Sequence, residues 1–144
     1  MKNLVFTLLI SFTPIIIISQ EKPDYFKKLN SKERNVIVNK GTEYPNTGKY
    51  NKHFEKGIYH CKACDSPLYE SNSKFESNCG WPSFDDEIKN AITRHSDYIL
   101  GYKRIEICCA KCGGHLGHVF NDGPKETTGI RHCVNSAALI FKKS

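Results

Sequence analysis

Residues 61–64 read CKAC and residues 109–112 read CAKC, so the chain carries the Cys-x-x-Cys spacing twice. Each pair is followed by small or turn-forming residues, Asp-Ser at 65–66 and Gly-Gly at 113–114. A tight turn of this kind aims both sulfurs at one point, and two such pairs are the ligand set of a tetrahedral four-cysteine zinc site. Because 44 residues (65–108) separate the pairs, two distant hairpins have to meet at the metal.

The same two pairs have a competing interpretation. Two disulfides, or a dithiol redox motif, would use the same cysteines, and an oxidising compartment encourages disulfides. Two matched pairs are a stronger signal than one, which favours zinc. Four thiolates leave no open position for a substrate, so the predicted metal is structural, with one zinc per chain bound by Cys61, Cys64, Cys109 and Cys112.

The segments around these pairs have the composition of short strands. They are rich in β-branched or aromatic residues and are separated by turn-forming clusters such as TEYPNTGKY and NDGPKETTG. We therefore predict a mainly β fold whose antiparallel sheets form a sandwich or barrel-like core. Asn30 stands three residues before Glu33, and Gly41 follows, which predicts a short N-terminal helix packed outside the sheets. The predicted strand segments are GIYHC (57–61), SPLYES (66–71), RIEICCA (104–110) and CVNSAALIF (133–141).

The first segment, MKNLVFTLLISFTPIIIIS, has the layout of a secretory signal peptide. It has one lysine, then a short apolar stretch, then Ser19 before a polar segment. The competing interpretation is an uncleaved membrane anchor, which the interruption at Pro14 disfavours. We predict a signal peptide at 1–19, a lead-in at 20–30 and one domain at 31–144. The protein is then exported, periplasmic or secreted, without stable membrane insertion after cleavage.

The formal net charge of +6 carries little information about partners. The chain has no block of five or more like charges, which favours a solvated basic surface and no nucleic-acid partner. A zinc-ribbon nucleic-acid binder would leave Cys79 and Cys133 without a role. A secreted, disulfide-stapled binding module would form three bridges and keep one free thiol, since seven cysteines is an odd number.

Three further motifs contain candidate reactive residues. CGWPSF, residues 79–84, places a cysteine beside the only tryptophan of the chain. GGHLGHVFNDGP, residues 113–124, sets His115 and His118 three apart in a glycine-rich segment, which suggests a site that gives and takes protons near neutral pH. In RHCVNSAAL, residues 131–139, Arg131 stands two residues before Cys133 and would favour its thiolate.

These three motifs, together with the two Cys-x-x-Cys pairs, resemble methionine sulfoxide reductase B from about Ser31 to Phe141. The resemblance implies a β-sheet fold with a structural zinc away from the active site, and makes 31–144 the reductase domain. It also implies reduction of the R epimer of methionine sulfoxide in oxidised proteins, at the expense of a thioredoxin-like dithiol. We expect a monomer.

The resemblance assigns a role to each matching residue. It makes Cys133 the nucleophile and Cys79 the resolving cysteine, which attacks the sulfenic acid left on Cys133. Trp81 and Phe120 would line the pocket for the methyl group of the substrate. The polar side of the site would be formed by His115, His118, Asp122, Arg131 and Asn135, with either histidine as the acid, and the four paired cysteines match the ligands of the zinc-containing subgroup.

Cys108 departs from the family pattern, which gives a cysteine at this position no role. Neighbouring residues of a strand point to opposite faces of the sheet. Cys108 is therefore predicted to face away from the metal that Cys109 binds.

Overall fold

The computed structural model describes residues 24–144, and this part of the chain forms two antiparallel sheets and one short α-helix. The predicted signal peptide, and the start of the predicted lead-in, lie outside the described residues, so export stays a prediction. Between residues 24 and 144, no helix combines the length and the apolar character needed to cross a membrane. The strands are β1 (Gly57–Cys61), β2 (Pro67–Glu70), β3 (Lys74–Phe75), β4 (Ser83–Phe84), β5 (Ile92–Asp97), β6 (Arg104–Cys109), β7 (His115–Phe120), β8 (Arg131–Val134) and β9 (Leu139–Lys143).

The strands form two sheets of unequal size. The smaller sheet has the order β2-β1-β9, and the larger one has the order β3-β4-β8-β7-β6-β5. Every neighbouring pair runs antiparallel. The prediction of a mainly β fold with antiparallel sheets is confirmed.

The helix, α1, spans Ser31–Ile37 and begins where the sequence predicts. Asn30 accepts a hydrogen bond from the Glu33 backbone, and the Glu33 side chain accepts one from the Asn30 backbone, so both halves of a capping box are present. The helix ends four residues before Gly41. Its last residue, Ile37, is buried and lies so close to Gly114 that a Cβ at Gly114 would approach it to 2.7 Å.

The core is built from aromatic and branched aliphatic side chains, with a few small residues and cysteines. Tyr69 of β2 stacks on Phe84 of β4 with ring centroids 4.2 Å apart, which joins the two sheets. Burying each such side chain contributes about 1.5–3 kcal/mol to folding. Fully buried members include Tyr59, Leu68, Tyr69, Phe84, Ile107, Leu116 and Val134.

The segment 133–141, predicted as one strand, is divided between the two sheets. β8 belongs to the large sheet and β9 to the small one, and a short 3-10 turn at Ser136–Ala138 separates them. Asn135 fixes this break, because its side chain accepts a hydrogen bond from the Glu43 backbone and donates one to the Leu116 carbonyl. A single strand was the wrong prediction here, since these long-range hydrogen bonds are not visible in the local composition.

The glycine-rich segment that carries the two histidines is a strand, β7, with a bulge. Ile107 of β6 pairs with Gly117 and Cys108 pairs with His115, so Leu116 is an extra residue without a partner on β6. The extra residue turns His115 and His118 to the same face of the sheet, although residues three apart ordinarily face opposite ways. Gly117 lies against β8, where a Cβ would come within 1.9 Å of the Cys133 carbonyl oxygen.

Candidate active site

One face of the large sheet carries most of the candidate residues. Residues that pair directly across an antiparallel ladder share a face. His118 of β7 pairs with Cys133 on one side and with Glu106 on the other. On the same face, Arg104 lies two residues before Glu106 and pairs with Asp97 of β5. The strand register therefore sets a thiol, an imidazole and a carboxylate–guanidinium pair on one face of the sheet.

Cys133 meets Cys79, the two cysteines to which the resemblance assigns attack and resolution. Their sulfurs are 3.8 Å apart and unbonded. Cys79 comes from the loop before β4, and Ser77 donates a hydrogen bond of 3.0 Å to its sulfur. Ser83, which pairs with Cys133, places its hydroxyl 3.4 Å from the same sulfur. Cys79 thus has three neighbours that stabilise a thiolate.

The two thiols share one proton. Hydrogen bonding from Cys133, helped by Ser77 and Ser83, lowers the pKa of Cys79 to about 4. Pairing with Cys79, and then burial, raises the pKa of Cys133 well above its ordinary range. Arg131 opposes this rise, which is the predicted direction, but it does not outweigh the pairing. The resting pair therefore favours the negative charge on Cys79, whose sulfur faces the Ser77 and Ser83 hydroxyls and the Cys133 thiol.

This charge distribution predicts selective alkylation at mildly acidic pH. A thiol with a pKa of about 4 is ionised above that pH, so iodoacetamide should label Cys79 near pH 6, where an ordinary cysteine is protonated. Ser77→Ala removes a hydrogen bond that favours the thiolate, so the midpoint of labelling should rise by about one to two pH units. Peptide mass spectrometry locates the label. Labelling of Cys133 in place of Cys79 would show that the charge lies on the other sulfur.

A cavity of about 140 Å³ opens onto Cys133. Trp81 and Phe120 form its aromatic walls, as predicted, while Cys79 is not among its lining residues. Trp81 is held in place by a hydrogen bond of 3.1 Å from its indole nitrogen to the Glu43 carbonyl. The full set of lining residues is Thr42, Trp81, Arg104, Gly117, His118, Phe120, Cys133, Val134 and Asn135.

His118 borders this cavity and is fixed by a carboxylate that sequence reasoning missed. Asp97 lies 2.7 Å from His118 Nε2 and 2.6 Å from the Arg104 guanidinium. Hydrogen bonds from the Ile99 backbone and from His118 lower the pKa of Asp97 to about 2. The carboxylate is therefore ionised at neutral pH. Asp97 is 21 residues from His118 in the chain, and no local motif marks the pair.

His115 has a different environment from His118. It does not border the cavity beside Cys133, and it is buried with its Nδ1 2.7 Å from Glu106. Lys40 pairs with the other oxygen of Glu106 at 2.8 Å. Burial lowers the pKa of His115. The geometry favours His118 over His115 as the acid.

Cys108 lies beside Glu106 and His115, outside the four-cysteine cluster. Its direct pairing with His115 puts it on the polar face, whereas Cys109 faces the core. Burial, with the nearby Glu106 carboxylate, raises the pKa of Cys108 to about 12. Cys108 is thus a buried thiol that faces away from Cys109, as predicted.

The remaining predicted polar residues act at the edge of the cavity. Arg131 makes a two-bond ion pair with Asp122, at 2.8 and 2.9 Å, and its guanidinium lies 4.5 Å from the Phe120 ring centroid. Asp122 itself is largely exposed. Asn135 lines the cavity while its side chain is hydrogen-bonded to backbone groups. Asn135 is therefore part of the cavity wall, whereas Arg131 does not line the cavity and packs against Phe120, oriented by Asp122.

The four paired cysteines gather at the junction of the two sheets. Cys61 ends β1 of the small sheet, and Cys109 ends β6 of the large sheet. All four sulfurs lie within 4.8 Å of one another. Cys61 and Cys112 are 3.7 Å apart, and Cys64 and Cys109 are 3.5 Å apart. Zn–S bonds of about 2.3 Å in a tetrahedron require sulfurs about 3.8 Å apart, so the cluster fits a zinc ion.

Each pair sits on the same kind of turn. The Asp65 amide donates to the Cys61 carbonyl at 2.9 Å, and the Gly113 amide donates to the Cys109 carbonyl at 2.8 Å. Asp65 and Gly113 both have positive φ, 61° and 74°. The turn-forming residues after each pair in the sequence are the ones that close these turns. The predicted meeting of two distant hairpins is confirmed.

Two close thiols beside an aromatic cavity, on a β fold that gathers four cysteines, define the class of the protein as a thiol-dependent oxidoreductase. The family model described as the SelR domain matches residues 29–143. Peptide methionine sulfoxide reductase MsrB of Chromohalobacter salexigens is 46% identical over 125 residues, which cover 86% of this chain and 94% of the relative. The chain therefore belongs to the methionine sulfoxide reductase B family.

Other comparisons agree with this assignment. A probable methionine-R-sulfoxide reductase B of Caenorhabditis elegans is 51% identical over 110 residues, covering 75% of this chain and 72% of the relative. Among solved structures, the Mis18 'Yippee-like' domain is similar with a TM-score of 0.50 and 16% identity, covering 62% of this chain and 98% of that domain. At that identity the likeness concerns the fold alone.

Proposed function

We propose that the protein reduces the R epimer of methionine sulfoxide in oxidised proteins, with Cys133 as the nucleophile and Cys79 as the resolving cysteine. Names of relatives, such as methionine-R-sulfoxide reductase, support the reaction. One observation supports the division of roles. The two sulfurs are 3.8 Å apart, but only Cys133 opens onto the cavity between Trp81 and Phe120.

In the first step, Cys133 attacks the sulfur of the sulfoxide. The proton of Cys133 passes to the Cys79 thiolate, and His118 donates a proton to the sulfoxide oxygen, since an unprotonated oxide is a poor leaving group. The S–O bond of the substrate breaks, and the oxygen moves to Cys133. The transient bond between the two sulfurs then breaks, and methionine leaves as the thioether with its sulfur reduced by two electrons. Cys133 has lost these two electrons and holds the transferred oxygen with the proton from His118, so it is a sulfenic acid.

In the second step, the Cys79 thiol attacks the sulfenic acid. An S–S bond forms between the two cysteines, and the oxygen leaves as water. The short distance between the sulfurs supports direct resolution. An external dithiol of the thioredoxin type then reduces the disulfide by exchange and is itself oxidised to a disulfide.

The metal has a structural role in this proposal. A zinc ion bound by the four paired cysteines would join the ends of β1 and β6, and four thiolates leave it no position for substrate.

The substrates are oxidised proteins, and the enzyme works as a monomer.

The experiment that tests the function compares the two epimers. The protein is supplied with N-acetyl-methionine (R)-sulfoxide methylamide or its S epimer, and with a thioredoxin-type dithiol. We expect the R epimer to be consumed and the S epimer to remain, because walls formed by Trp81 and Phe120 accept the methyl group in one orientation around the chiral sulfur. Equal consumption of both epimers, or of neither, would refute the proposal.

A further inference from the structure

A second cavity of about 200 Å³ adjoins the reactive one. Both are lined by Thr42, Arg104 and His118, so one continuous groove leads away from the reacting thiol. At its far end the groove is bordered by Ile99 and Leu100. The first cavity is only about 140 Å³, so the residues on either side of an oxidised methionine have to lie outside it.

The loop between β5 and β6 presents apolar side chains to solvent beside this second cavity. The exposed fractions of Tyr98, Ile99, Leu100 and Tyr102 are 61%, 75%, 57% and 59%. Single exposed apolar residues are common on protein surfaces, but a contiguous group marks an interaction site. We call this group, residues 98–102, the apolar loop.

The apolar loop is anchored to the active site. The Asp97 carboxylate that holds His118 also accepts a hydrogen bond of 2.9 Å from the Ile99 backbone. The loop closes through a hydrogen bond of 2.9 Å from the Gly101 amide to the Tyr98 carbonyl, with Gly101 at a positive φ of 79°. The loop therefore has a defined position relative to the reacting groups.

The charged side chains of the second cavity are paired with one another. Lys40 pairs with Glu106 at 2.8 Å, and Arg104 pairs with Asp97 at 2.6 Å. The positive and negative charges balance, so the cavity offers no net charge to attract an ionic side chain. The apolar part of its lining is Ile99 and Leu100, whose exposed area gains from being covered by an apolar side chain.

We propose that the apolar loop and the second cavity bind apolar residues that flank the oxidised methionine in an extended polypeptide. This inference rests on the proposed function. Its occupant is an unfolded segment of an oxidised protein, because methionine has apolar neighbours in protein cores and these are accessible only when the segment is unfolded. The loop determines which methionine sulfoxides are reduced first.

The test uses the double variant Leu100→Ser/Tyr102→Ser, which changes two exposed side chains of the apolar loop without touching Asp97, and three substrates. Two are peptides with a central methionine (R)-sulfoxide, flanked by leucine in one and by asparagine in the other. The third is the single-residue substrate N-acetyl-methionine (R)-sulfoxide methylamide. For the wild type we expect a KM about tenfold lower with the leucine peptide than with the asparagine peptide. In the double variant the two peptides should have equal KM, with kcat on the single-residue substrate unchanged.

Phe54→Ser is the matched control, since Phe54 is half-exposed and borders neither cavity. It should keep the preference of the wild type, and thermal melting verifies that all variants fold. Equal KM values of the two peptides for the wild type would overturn the inference. The inference would also be overturned if the double variant lost activity equally on all three substrates. The loop would then support His118 through Asp97 and would not bind the flanking residues. A wild type inactive on the single-residue substrate would instead refute the proposed function.

Discussion

Cys133→Ser is expected to abolish reduction of methionine (R)-sulfoxide, even when a single turnover is measured. Cys133 is the thiol that opens onto the cavity, and a serine hydroxyl is a far weaker nucleophile than a thiolate at neutral pH. The measurement is the amount of methionine released by reduced enzyme without added dithiol. The expected value is the background without enzyme.

Cys79→Ser is the matched control for this prediction. The variant should release about one methionine per enzyme molecule and then stop at the sulfenic acid, because attack precedes resolution. Removing Cys79 also removes the neighbour that most raises the pKa of Cys133, so the first step should survive. Steady turnover of this variant with a thioredoxin-type dithiol would contradict the role of Cys79. A full single turnover by Cys133→Ser would contradict the whole assignment.

Loss of one zinc ligand is expected to unfold the protein. Structural zinc contributes about 10–16 kcal/mol in small peptides, as much as the total stability of a folded domain, about 5–15 kcal/mol. Cys112→Ser is the most informative change, because Cys112 is only partly buried and its replacement disturbs little packing. We expect zinc to fall from one per chain to near zero, with loss of the cooperative melting transition.

Cys108→Ser separates metal binding from packing. Cys108 is more deeply buried than Cys112 but lies outside the four-cysteine cluster. If only packing determined stability, Cys108→Ser would lower the melting temperature more than Cys112→Ser. We expect it to keep one zinc per chain and a melting transition close to that of the wild type. Stoichiometric zinc and normal melting in Cys112→Ser would show that the four cysteines do not hold a structural metal.

The metal cluster and the strands β1, β2 and β6 were predictable because their signals are local. GIYHC coincides with β1, and RIEICCA contains β6, since both segments are rich in β-branched or aromatic residues and lie between turn signals. The turn residues after each Cys-x-x-Cys pair also correspond to the observed turns. In these cases neighbouring residues carry the information that decides the conformation.

The support around His118 was not predictable, because strand register creates it. Asp97 of β5 contacts His118 of β7 across the intervening strand β6, and the bulge at Leu116 determines which face of the sheet each histidine occupies. A shift of one residue reverses the faces of a strand, and composition does not specify it. For the same reason the sequence did not distinguish His115, which is buried against Glu106, from His118, which borders the cavity.

The composition of the core has a consequence for survival under oxidants. The core is filled by aromatic and branched aliphatic residues, and the only methionine of the chain is Met1. Oxidation turns a buried methionine into a polar sulfoxide and disrupts the packing around it. This core offers no such target, so the enzyme does not depend on its own activity to stay folded. Peroxide concentrations that damage methionine-rich proteins should therefore form no methionine sulfoxide in its interior, where the oxidisable groups are the cysteine thiols.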